Sequence, residues 1–137
     1  MKPFSFLTAI LFVAASIVSC KKNSDDRPDS NPSAQIQGVW AGKFGTGNNN
    51  PTAFFSFNIK AGGILEELTA TGQVKGTGTW KLENKIFYGY TINILDPIGN
   101  KYSVIGAYDA SKGKILGNWG YEDEATDGGL WEMNKKQ

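Results

Sequence analysis

One thiol, Cys20, and no histidine bound the chemistry open to this 137-residue chain. A thiolate is a nucleophile and a metal ligand, but a lone cysteine closes no disulfide within its own chain. Without histidine there is no imidazole base and no imidazole ligand for zinc. Neither Gly-x-Ser-x-Gly, nor a Gly-rich phosphate loop, nor Cys-x-x-Cys occurs. Two acidic groupings remain. Glu66 and Glu67 are adjacent, and neighbours along a strand point to opposite faces, so they do not converge on one substrate atom as an acid–base pair. Glu122, Asp123 and Glu124, with Asp127, crowd carboxylate oxygens of the kind Ca²⁺ takes into one loop. Their spacing lacks the alternation of an EF-hand loop and reads as a solvated hairpin tip. The expectation is a protein that is not an enzyme and holds no cofactor and no metal.

Aromatic side chains are the other resource. Six of them, Phe44, Phe55, Tyr102, Trp119, Tyr121 and Trp131, fall on related phases of the pattern described next. Together they offer faces on which a small hydrophobic or planar ligand can stack. They are equally good fillers for the interior of a small barrel. Trp40 and Trp80 fall toward the opposite end and read as structural.

The elements that must position these residues follow from alternation. From Ile36 onward apolar and polar residues alternate with period two, broken at short intervals by turn residues. Eight strands are predicted, over 37–45, 52–60, 64–69, 73–82, 85–94, 101–109, 114–121 and 129–135. Ala61-Gly62-Gly63, Glu83-Asn84 and Ala110-Ser111-Lys112-Gly113 suit tight hairpins, and Asp96-Pro97-Ile98-Gly99-Asn100 is a turn with Pro and Gly well placed. Val74, Gly76, Gly78, Trp80 and Leu82 share one face of the fourth strand, against Lys75, Thr77, Thr79 and Lys81. The fifth strand is ambiguous, because Ile86, Tyr88, Tyr90 and Ile92 oppose Phe87 and Gly89. No helical period follows Cys20.

Sequential hairpins of this kind predict an all-β fold, an eight-stranded antiparallel up-and-down β-barrel. Closure removes the edges an open meander would expose. Such an interior either packs solid or holds one small molecule, and both alternatives stay open. Up-and-down winding puts the longer loops at the end away from the N-terminus. The opening Gly38-Val39-Trp40 resembles the Gly-x-Trp first strand of lipocalin-like and avidin-like barrels, which implies the same architecture.

Before the barrel the composition changes twice. Met1-Lys2 is a positive start, and Phe4 to Val18 is a nearly unbroken apolar run, shorter than a spanning helix requires. Ile17-Val18-Ser19-Cys20 resembles the lipobox of bacterial lipoproteins: an aliphatic residue, a tolerant position, a small residue, then cysteine. That resemblance implies cleavage before Cys20 and acylation of its thiol. A thioether-linked diacylglycerol, with or without a further acyl chain, is a stable anchor. Lys21 in place of aspartate argues against inner-membrane retention by the same resemblance. The run Cys20-Lys21-Lys22-Asn23-Ser24-Asp25-Asp26 is similar in part to Bacteroidetes-type lipoproteins. Lys21 to Ala34 holds no large apolar residue, which predicts a disordered tether.

The organisation expected is a lipoprotein signal peptide over 1–19, a lipidated Cys20 and flexible tether over 20–35, and a barrel domain over 36–137. Without Lys2 the 14 basic residues fall to 13, equal to the 13 acidic ones. Nothing in that balance points to nucleic acid. The expected partners are a membrane, through the lipid on Cys20, and a small hydrophobic ligand, with no protein partner identified. The expected location is the outer membrane, on its periplasmic face or at the cell surface. The expected function is a membrane-anchored lipoprotein whose barrel binds a small hydrophobic or aromatic-stacking ligand. The alternative is a packed barrel serving as an interaction or structural module of the cell envelope, with no small-molecule ligand.

Overall fold

Alternation over most of the chain produces strands, and turn residues decide where each one ends. The computed structural model describes residues 31–137, so the expected signal peptide, Cys20 and most of the expected tether lie outside the described residues. The strands are β1 (Gly38–Phe44), β2 (Ala53–Lys60), β3 (Ile64–Leu68), β4 (Val74–Glu83), β5 (Ile86–Asn93), β6 (Lys101–Asp109), β7 (Lys114–Tyr121) and β8 (Gly129–Lys135). Each pairs antiparallel with the next, and β8 returns to β1, giving a closed eight-stranded barrel in chain order. The β4–β5 connection is a two-residue turn in which Asn84 and Lys85 both take positive φ, 51° and 65°. That geometry matches the right-handed twist of the strands it joins.

One element departs from the expectation for the tether. Pro32–Gln35 forms a short helix, α1, started by Asn31, whose Oδ1 accepts the Ser33 N–H. Asparagine before proline is a good helix start. The turn delivers Ile36, fully buried, to the near end of the barrel, where the Trp40 indole donates to the Ile36 carbonyl at 2.7 Å. No helix among the described residues is long and apolar enough to cross a membrane.

The barrel is filled unevenly along its axis. Around Ile36 the near half is solid with Trp40, Ile59, Leu65, Phe87, Ile115 and Met133, all at most 1% exposed. Trp80 closes the same end by donating to the Lys60 carbonyl at 2.8 Å. The ambiguity in β5 resolves toward Phe87, Gly89 and Thr91 inside. Tyr88 and Tyr90 lie outside, under the ammonium groups of Lys81 and Lys101 at 5.1 and 4.7 Å from their ring centres. Burying Phe87 removes a whole aromatic ring from water, whereas a tyrosine keeps its hydroxyl solvated when it faces out.

A second departure lies in β4. Glu67 pairs with Gly76 and Leu68 with Val74, so Lys75 is the extra residue of a β-bulge. A bulge re-aims the side chains around it. Val74, grouped by alternation with Trp80 and Leu82, is 36% exposed, and Lys75, grouped with the opposite polar face, turns toward the interior.

Candidate functional site

The far end of the barrel is where the interior opens. A cavity of about 300 Å³ lies there, walled by Phe44, Phe55, Tyr102, Trp119 and Tyr121, with Val104, Thr46, Asn93, Glu67 and Lys75 completing it. Thr46 lies in the first of the longer connections, 45–52, 69–73, 94–100 and 122–128, and the other residues lie in the halves of β1 to β7 that meet them. The chain enters at the opposite end.

Its aromatic wall is a set of edge-to-face and tilted ring contacts. Phe44 meets Phe55 at 5.6 Å and Trp119 at 5.4 Å between ring centres, and Tyr121 meets Trp119 at 5.2 Å. Tyr102 joins Trp119 at 6.2 Å and Tyr121 at 5.9 Å. Trp119 is fixed in place, because its indole N–H donates to the Gly45 carbonyl at 2.7 Å. Its N–H is therefore spent, and what it offers a ligand is ring surface. Burial, above all, pushes the Tyr102 phenol above its ordinary value, with the Tyr121 hydroxyl next to it adding to the effect. Tyr102 therefore stays protonated, and able to donate, to a higher pH than a free phenol.

Five of the six aromatic residues singled out in the sequence line this cavity. Trp131 does not. It lies beneath, among Phe55, Phe57 and Phe87, and its indole N–H is shared between the carbonyls of Asn118 at 2.7 Å and Ile105 at 3.2 Å. It forms part of the packed floor. Cys20 lies outside the described residues.

The polar wall was not among the residues expected. Glu67, 6% exposed, receives the Thr91 hydroxyl at Oε2, 3.0 Å away, and the Lys75 ammonium at Oε1, 2.9 Å away. Its neighbour Glu66 faces the outside. There Lys60 and then Asn58 bind its carboxylate, each at 2.9 Å, and hold it below the usual carboxylate range. The two glutamates do point to opposite faces. The inward one is a wall of the cavity, and the signal for it in the sequence is a glutamate on the same phase as Leu65.

In the acidic loop the carboxylates are engaged separately. Asp127 accepts the Tyr121 N–H at 2.9 Å, Glu124 accepts the Thr126 hydroxyl at 2.6 Å, and Asp123 pairs with Lys101. Among the described residues no three carboxylate or thiol groups converge as a metal site would require.

No family model, no curated protein and no solved structure matches this chain.

Proposed function

We propose that this protein is a membrane-anchored lipoprotein whose barrel binds a small ligand by stacking it on the aromatic wall at the far end. One observation carries the binding part: a cavity of about 300 Å³ lined by Phe44, Phe55, Tyr102, Trp119 and Tyr121, a size at the lower end of small-molecule sites. The anchor rests on the lipobox-like Ile17-Val18-Ser19-Cys20. With a lipid on Cys20 and the chain entering at the packed end, the cavity would face away from an outer membrane, toward the periplasm or the cell exterior.

Two measurements test the two parts. Protein purified gently from its source membrane is expected to carry a small molecule in native mass spectra, and displacing it should change tryptophan fluorescence. Trp119→Phe should remove most of that change, since Trp40 and Trp131 are sealed in the core and Trp80 closes the opposite end. A spectrum of bare protein, with fluorescence indifferent to an added panel of planar compounds, refutes the binding reading. Cys20→Ser should abolish metabolic labelling by palmitate and move the protein from the detergent phase to the aqueous phase. Unchanged labelling refutes the anchor.

A second reading, a packed-barrel interaction module of the envelope, draws on the β5–β6 connection. There Ile94, Leu95 and Ile98 are 55%, 68% and 85% exposed beside the cavity, and exposed apolar clusters mark contact surfaces. It gains if bare protein is found and replacing these three residues releases a co-purifying envelope protein.

A further inference from the structure

The wall opposite the aromatic rings is built at some expense. Glu67 is nine-tenths buried, and a buried carboxylate is costly unless its partners compensate it. Both partners come from other strands: Thr91 from β5 and Lys75 from β4. Lys75 reaches it only because the bulge turns β4 by one residue. Gly76 makes the room, since a Cβ there would lie 3.3 Å from Glu67 Oε2 and 3.4 Å from its Cβ. Three apolar residues would serve the stability of the barrel at least as well. The pair lies in the cavity, where a ligand would meet it.

The two ends of the pair are not equally presented. The Glu67 side chain is 8% exposed and both its oxygens are engaged. The Lys75 side chain is 33% exposed, and Glu67 takes one of its three N–H donors. Asn93 Oδ1 is taken by the Leu95 N–H, so this side chain presents its amide N–H₂. The cavity thus sets hydrogen-bond donors on one side and aromatic faces on the other, and recesses its one acceptor carboxylate.

Resting on the binding reading above, we propose that the ligand is a planar aromatic carboxylate, its ring stacked among Phe44, Trp119 and Tyr102 and its carboxylate held by the Lys75 ammonium. Glu67 is then a positioning residue. It holds Lys75 inside the barrel and does not touch the ligand's anionic end.

Isothermal titration of the full chain in detergent, blanked against detergent alone, tests this with three probes of one shape: naphthoate, naphthamide and naphthylmethylammonium. Naphthoate is expected to bind at least about tenfold more tightly than either of the others, as a charge-assisted hydrogen bond allows. Lys75→Met should bring naphthoate down to the level of naphthamide. That variant leaves Glu67 without its counter-charge and endangers folding, so the double variant Glu67→Leu/Lys75→Met is the second test. It orphans no buried charge, and retained naphthamide binding reports that its cavity is intact. Equal affinity for all three probes in the unaltered protein, or a naphthoate preference that survives the double variant, overturns the carboxylate assignment and leaves cavity binding standing. Failure of all three probes to bind overturns the assignment as well. The native mass spectra then say independently whether the cavity holds anything else.

Discussion

Gly117→Ala asks whether close strand approach, and not glycine's flexibility, shapes this barrel. Gly117 sits in β7 between Gly106 of β6 and Trp131 of β8. A Cβ at this position would lie 2.0 Å from the Ile105 carbonyl oxygen, 2.5 Å from Gly106 Cα and 2.9 Å from the Ile105 carbonyl carbon. All three are backbone atoms, so no side chain can swing aside. The strands must part, and the Ile105 carbonyl moves away from the Trp131 indole that donates to it. Overpacking of this kind costs about 1–3 kcal/mol, and a weakened buried hydrogen bond adds about 1 kcal/mol. A total of about 3 kcal/mol lowers the urea midpoint by about 2 M at a slope of about 1.5 kcal/mol/M, a usual value for a small domain. Gly72→Ala is the control. Gly72 has φ of +82° and nothing within 4 Å of a built Cβ, so its cost is backbone strain alone, about 1 kcal/mol. Equilibrium urea unfolding of both variants decides the matter. If Gly117→Ala costs no more than Gly72→Ala, the steric argument fails, and the barrel's curvature is not held by that contact.

Thr91→Val removes the hydroxyl on Glu67 Oε2 at constant shape and should cost about 1.5 kcal/mol, read from the urea midpoint; adding Glu67→Leu together with Lys75→Met should recover much of that loss, because neither an acceptor nor a charge is then orphaned, and a further fall would sink the account. Tyr102 and Tyr108 both have their phenols pushed up, foremost by burial. Their neutral form is favoured in the folded state, so this contribution to stability is complete below about pH 10 and is lost as pH rises through the raised folded values. Melting temperature should therefore fall above about pH 10, and less steeply in Tyr102→Phe and Tyr108→Phe; equal slopes in all three proteins would contradict it. Trp40→Phe loses the bond to the Ile36 carbonyl and should speed amide exchange at residues 34–37, with a cost of about 2 kcal/mol in unfolding experiments; exchange rates equal to those of the parent would show that the α1 turn is held by something else.

Much of the architecture is legible in the sequence because its signals are local. Alternation marks most of the strands, Gly, Asn and Pro mark the turns, and short connections between successive strands leave an antiparallel meander that closes. Three of the eight predicted strand ranges, 101–109, 114–121 and 129–135, match the observed bounds, and the other five differ by one residue at one end or both. Phe44, Phe55, Tyr102, Trp119 and Tyr121 reach the same end because strand phase and winding direction together fix height and face. α1 is less visible, since four residues are too few to show a helical period and only its Asn31-Pro32 start is readable.

What the tertiary structure decided lies mainly where two strands must agree. In β5 apolar residues occupy both phases, so only the space beside Trp80 and Trp131 selects Phe87 for the interior. In β4 the bulge is a property of its pairing with β3, and no feature of Gln73-Val74-Lys75-Gly76 alone announces it. That single extra residue reverses the faces of Val74 and Lys75 and brings an ammonium to Glu67. A period-two pattern carries no record of a local shift imposed from the neighbouring strand. The aromatic half of the candidate site is therefore written in the chain, and its charged half appears only once the barrel is closed.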